Sequence, residues 1–264
     1  MPLPHPIVRD TKLSSPSPVI NRLIEMMFEP TTSLDDLAAT LSADASLSAR
    51  TLSVANAAFS SPQNRIDNVQ DAVVRIGLIP VIHIITASEI KAVFLSVPGK
   101  HGDMKQLWMH NLVTACIADA YAHHLKLEEP ARWFTGGMLH DIGRLLLLAH
   151  DPIKYSEVTS AITSGREEIC DAEMEAFGIT HQELGNQLMT QWRFPDAIAE
   201  AAFHHNQPFI SYADFRSGIS IANTLANALG DTRPLPKYAS FSAERVIAKS
   251  SVKYEMMKKI SGFV

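Results

Sequence analysis

The sequence predicts an all-α fold on three observations. Apolar residues recur three and four positions apart through most of the chain. Capping residues and glycine stops punctuate those stretches. No alternating strand pattern and no fixed-period repeat is present.

Residues 1–13 read as an amino-terminal arm. Ser17 and Pro18 supply an N-cap and a first-turn proline for a helix with the stripe Val19, Ile20, Leu23, Ile24, Met26 and Met27. Ser33 with Asp36 forms a capping box for a second helix, with Leu34, Leu37, Ala38 and Leu41 inward. A third runs from about Asp44 through Leu47, Leu52 and Ala55 and stops before the turn Ser60-Ser61-Pro62. Asn68 caps a short helix that Gly77 closes, and Pro80 opens the segment Val81 to Phe94. Val81 to Thr86 is β-branched enough to suit a buried strand, but the segment's length and its Ala-Ser-Glu-Ile-Lys-Ala continuation favour helix.

Val97 to Asp103, with two glycines and a proline, reads as a linker. Helical patterns follow over Met104 to about Leu127, Pro130 to Ala149, Pro152 to Thr163 and Arg166 to Phe177. Thr180 and Glu183 form a second capping box for a helix through Trp192. Pro195 starts another to about Asn206, and Tyr212 to Leu229 precedes the stop at Gly230. After Pro234 and Pro236 the tail reads as one or two short helices packing on the body, ending at Lys258 and Lys259.

Composition narrows the function classes. The 264 residues are 46% hydrophobic and 19% charged, a globular balance. Twenty-three Lys and Arg against 28 Asp and Glu leave a charge of -5, which argues against a broad nucleic-acid footprint. A helix-turn-helix within 33–58 stays open as a minor alternative. The start MPLPHPIVRD has no secretory pattern. The longest apolar stretch, Ile76 to Thr86, is interrupted by Gly77, Pro80 and His83, short of the ~18 residues of a membrane span. Cys116 and Cys170 form no CxxC pair. The expectation is a cytoplasmic protein with both thiols reduced and buried as spacers.

Eleven histidines are unevenly placed. His140 and Asp141 interrupt the largely apolar Met138 to Leu146, where burying imidazole and carboxylate is costly unless something pairs with them. A divalent cation is the compact solution, since nitrogen and carboxylate oxygen suit Fe, Ni, Mn or Zn. The bland alternative is a buried His–Asp hydrogen bond. Adjacent helical residues diverge by ~100°, so the site needs ligands from other helices. His110, His181, His204 and His205 offer them.

Met138-Leu139-His140-Asp141-Ile142-Gly143-Arg144 resembles the signature of the HD superfamily of metal-dependent phosphohydrolases. Three more segments make the chain similar to the HDOD family, the HD-related output domain, over roughly Ser14 to Leu229. They are Asp44 to Arg50 leading to Ala55-Asn56, Asp71 to Gly77, and Trp192 to Pro195 followed by His204-His205. The resemblance implies an amino-terminal helical lobe (14–100) and an HD-like lobe (104–230), and a bacterial signalling or regulatory role. Its ligand pattern falls on His110, His140, Asp141, His181, His204 and His205. At least one of His204 and His205 is expected to line the cleft, the other sealing a helix end.

HD hydrolases close the site with an Asp where this chain has Asn223, a neutral and weaker ligand. Arg144, one turn beyond His140 and Asp141, is expected either to clamp phosphate or to serve as an ion-pair residue.

Two functions are therefore expected. The first is hydrolysis of a small phosphoester or nucleotide with one or two metal ions, Asp141 and Arg144 being catalytic. The second is a non-catalytic output module that binds a ligand or a protein partner.

Overall fold

The computed structural model describes residues 4–58, 65–97, 101–127, 130–163, 168–206 and 210–230. Regular structure among them is entirely helical. The amino-terminal elements are α1 (Pro6–Asp10), α2 (Pro18–Met27), α3 (Leu34–Ala43), α4 (Ala45–Ala58), α5 (Val69–Ile76) and α6 (Leu78–Leu95). The carboxy-terminal elements begin with α7 (His101–Leu125), α8 (Pro130–Leu139), α9 (Ile142–His150) and α10 (Pro152–Thr163). They continue with α11 (Ile169–Phe177), α12 (His181–Gln191), α13 (Asp196–His204) and α14 (Phe215–Gly230). The turn at 60–62, the centre of the expected linker, the side chain of Leu34 and the tail 231–264 lie outside the described residues.

Local capping chemistry decides where most helices begin. Ser17 Oγ accepts from Ile20 N. Ser33–Asp36 and Thr180–Glu183 form reciprocal capping boxes. Asn68 accepts from Asp71 N, and Gly77 ends α5. Each cap contributes about 1 kcal/mol by satisfying donors the helix cannot.

Five boundaries depart from the sequence reading. Residues 6–10 of the arm are helical, and Ile7 and Val8 are buried. Residues 101–103 belong to α7, so the linker is shorter than expected. The segment from Leu78 is helical from its first residue and contains no strand. Pro80 is accommodated there because first-turn N–H groups have no helical acceptor. α14 starts three residues late because Asp214 Oδ1 accepts from Ser217 N. The largest departure is the expected helix Pro130–Ala149. It divides into α8 and α9, with His140 and Asp141 in the turn between them.

α6 is the one described helix long and apolar enough to cross a membrane, with a mean hydropathy of 1.7. It is 67% buried within the fold, as an all-round apolar helix of a globular core must be. One apolar cluster runs without interruption from Ile20, Leu23 and Ile24 through Ile82 and Ile85 to Trp108, Phe134, Leu146 and Leu188. A second, around Tyr121, Trp133, Ile219 and Leu225, binds α7, α8 and α14 together.

Two glycines set the close approaches that position the site. A Cβ on Gly137 would lie 2.5 Å from Ala115 Cα, so α8 meets α7 backbone to backbone. A Cβ on Gly143 would lie 1.9 Å from the His181 carbonyl oxygen. The start of α9 can therefore touch the start of α12 only with glycine at 143. We expect Gly143→Ala to cost about 3 kcal/mol or more, lowering the thermal midpoint by roughly 5–10 °C. An unchanged melting curve would contradict this account.

Candidate metal centre

Four stretches of chain deliver imidazoles to Asp141. His110 projects from the middle of α7, which Asn111 Nδ2 ties to Met138 O at 3.2 Å. His140 and Asp141 occupy the α8–α9 turn, where Asp141 has left helical geometry (φ -102°, ψ 14°). That break removes the ~100° divergence of adjacent helical side chains and lets both residues serve one cleft. His181 is held in the first turn of α12 by the Thr180 cap. His205 is the C-cap of α13.

The two carboxylate oxygens of Asp141 divide these histidines into pairs. His181 Nε2 and His205 Nε2 lie 3.4 and 3.2 Å from Oδ1. His110 Nε2 and His140 Nε2 each lie 3.7 Å from Oδ2. His140, Asp141, His181 and His205 are buried, at 0, 3, 1 and 1% exposure. His110–His140–Asp141 and Asp141–His181–His205 are each compact enough to hold one ion.

The opposite ring nitrogens fix which atom faces the cleft. His140 Nδ1 contacts Gly137 O at 2.8 Å and His205 Nδ1 contacts Ala202 O at 2.7 Å. His181 Nδ1 contacts Glu173 Oε2 at 2.6 Å, and Glu173 is fully buried. With Nδ1–H donating in each case, every Nε2 presents a lone pair to the cleft. The Nε2 atoms of His181 and His205 then face one another at 3.2 Å. His140 Nε2 is buried with no hydrogen-bond partner among the described residues. Converging lone pairs beside a carboxylate repel one another unless a cation lies between them, so the donor set fits a divalent metal.

Burial by itself would raise the Asp141 carboxyl. The fields of His140 and Arg144, with His205 and His181, instead hold it well below the usual carboxylate range. Since His140 is neutral at pH 7, Arg144 is the standing positive charge. Arg144 Nη1 donates to Asp141 Oδ2 at 2.9 Å and its Nε donates to Tyr155 Oη at 2.7 Å. Despite burial, those two partners raise the guanidinium pKa. The ion-pair role expected for Arg144 is thus present, while its second amino group makes no hydrogen bond to the described residues.

Burial pushes the His140 imidazole down to about 3, against an unfolded value near 6.5. Between these values the unfolded chain binds a proton that the folded chain refuses. The metal-free protein should therefore lose stability as pH falls through that window, by about 1 kcal/mol per unit from this group. Urea midpoints followed on acidification test it; a flat profile down to about pH 4.5 would refute it.

Two further expected ligands are placed as follows. Asn223 reaches the cleft, with 8% exposure. It accepts from Asn227 Nδ2 at 3.2 Å and donates to Asn206 at 3.4 Å. His204 joins neither of these groups. Its ring packs edge-on against Phe203 at 4.7 Å, because neighbouring side chains at the end of α13 point apart and His205 takes the cleft.

Three contributors were not expected from sequence: Glu173, Tyr155 and Cys170. Cys170 is half-buried on the cleft wall rather than a buried spacer, whereas Cys116 is fully buried. Burial, reinforced by Glu173, pushes the Cys170 thiol up to about 11, so it is not a thiolate at neutral pH. The cleft encloses about 640 Å³, enough for a small organic ligand, and Gln106, Thr159, Ile162, Glu168, Ile169, Asn206 and Asn227 complete its walls.

A family model described as HDOD domain matches residues 13–208. Among solved structures, a Geobacter sulfurreducens HDOD domain protein of unknown function superposes with TM-score 0.72 at 22% identity, over 98% of this chain and 97% of its own. A "putative phosphohydrolase" from Shewanella amazonensis SB2B gives 0.68 at 24% identity, over 96% of both chains. A "putative signal transduction protein" from Marinobacter aquaeolei VT8 gives 0.77 at 18% identity, over 99% of this chain and 62% of its own. An uncharacterized Treponema pallidum (strain Nichols) protein is 27% identical over 222 residues, 81% of this chain. The chain spans only 42% of that relative's length.

Proposed function

The chain belongs to the HDOD family, and from that premise we propose that it is a metal-dependent phosphohydrolase acting on a small phosphoester or nucleotide. One observation carries the reading: a single buried carboxylate presents each of its oxygens to a separate pair of histidine Nε2 atoms. The neighbour named a phosphohydrolase supports it at the level of fold.

His110, His140 and Asp141 would hold one ion, of Fe, Ni, Mn or Zn, and Asp141, His181 and His205 a second. A divalent cation bound there supplies Lewis acidity and brings the pKa of a bound water toward neutrality. The protein's own groups do the rest. Gly137 O, Ala202 O and Glu173 keep the imidazoles in the Nε2-facing tautomer. Arg144 keeps Asp141 ionised and oriented, and its remaining amino group is available to a phosphate oxygen at the cleft wall. Ile162 and Ile169 give that wall an apolar stretch for the organic part of a substrate.

Metal content of protein purified without added metal, wild type against His140→Ala, tests the proposal. Near-stoichiometric metal that vanishes in the variant is expected, together with loss of hydrolysis of an aryl phosphomonoester or phosphodiester. Wild-type protein that holds no metal would overturn it. Asn223→Asp should tighten metal binding, because it puts an anionic oxygen where a neutral amide now sits.

A second reading is favoured by Asn223 itself: a non-catalytic output module that senses a ligand in the cleft and engages a protein partner. Bound metal without turnover on any phosphoester would select it.

A further inference from the structure

Cys170 and Glu173 lie one turn apart on α11, and both turn toward His181 at the start of α12. Their donor atoms and a ring nitrogen of His181 all fall within 4.8 Å of one another. This is the compactness of the two groups around Asp141, but with a sulfur donor and without Asp141. Glu173 adds an independent sign of a ligand. It is fully buried, and its Oε1 has no hydrogen-bond partner among the described residues. An anionic oxygen is not left bare in an apolar interior without cost. Cys170 is only weakly engaged, donating to Gln182 Oε1 at 3.4 Å with Asn206 Nδ2 3.9 Å from its sulfur. It also opens onto the cleft, which gives an ion a route in.

The geometry points to a separate seat for a thiophilic divalent cation, zinc or cadmium, formed by Cys170, Glu173 and His181. Thiolate selects softer ions than the nitrogen and oxygen donors at Asp141. On binding, the Cys170 thiol loses its proton to solvent, the His181 ring moves its proton from Nδ1 to Nε2 so that Nδ1 can bond the ion, a metal–sulfur bond forms, and no electron is transferred. The His181–Glu173 contact of 2.6 Å must open to admit the ion. Because His181 also serves Asp141, occupation of this seat alters how the neighbouring centre holds its own ion. That coupling is reciprocal. The seat does not depend on hydrolysis.

Cadmium titration of the whole 264-residue chain, followed by the ultraviolet thiolate-to-metal charge-transfer band, tests the assignment. The wild type should gain the band with about one equivalent and in parallel protect Cys170 from a thiol reagent. Cys170→Ser should lose the band while keeping its helical circular dichroism. Asp141→Asn, which breaks both other groups, should keep it. A band that survives Cys170→Ser would assign the sulfur to Cys116 and overturn the proposal. So would a band that disappears in Asp141→Asn, or wild-type Cys170 that stays fully reactive under saturating cadmium.

Discussion

Asp141→Asn should empty the centre. The substitution is nearly isosteric, yet it removes the one charge shared by both histidine pairs and turns an acceptor oxygen into a donor NH2 facing either His110 and His140 or His181 and His205. Arg144 Nη1 also loses its ionised partner in a mostly buried site. Breaking a buried ion pair from one side costs about 3–5 kcal/mol. Purified protein should carry less than roughly a tenth of the wild-type metal, since a tenfold change in affinity requires only about 1.4 kcal/mol. Hydrolysis, where the wild type shows it, should fall to background. Elemental analysis decides the matter, and full wild-type metal content in the variant would show that Asp141 is not the shared ligand.

Glu173→Gln should have the next largest effect, although Glu173 does not contact Asp141. Its Oε2 accepts from the His181 backbone N–H at 2.8 Å and meets His181 Nδ1 at 2.6 Å, so one carboxylate fixes both the backbone and the ring of that histidine. An amide keeps the shape but weakens the acceptor, and its rotamer can present NH2 to the ring and reverse the tautomer. Outer partners of this kind usually contribute about 10–100-fold in metal affinity. The loss should appear in a competition titration against a chelator, with the fold intact by circular dichroism. Affinity within twofold of wild type would mean that His181 is positioned by the α12 backbone alone.

The caps at Ser17, Ser33, Asn68 and Thr180 were legible in the sequence because each interaction spans three residues. The cluster at His110, His140, Asp141, His181 and Asn223 was legible through family resemblance, whose ligand pattern falls on the first four and whose closing Asp falls at Asn223. The α8–α9 break was not. Apolar periodicity continues from Met138 to Leu148 across it, and the relevant signals, Gly136-Gly137 and Gly143, report on contacts with α7, α12 and α14 that a linear reading does not contain. The choice between His204 and His205 depended on the last half-turn of α13, finer than any spacing rule. Glu173 was hidden because its partner lies eight residues away across a turn. The one local hint was a glutamate directly after buried Ala172 on a helix with a cysteine three residues before it.

The unbroken apolar cluster that includes α6 has a practical consequence for dissecting the molecule. The facing surfaces of the two halves are not rims but a shared interior: Ile82, Ile85 and Phe94 on one side, Phe134 and Leu146 on the other. A fragment cut near residue 97 would bare a long greasy rod to water, the kind of surface that drives self-association. Neither half should survive excision as a freestanding piece. The histidine cluster and the amino-terminal helices are thus joined through solid packing.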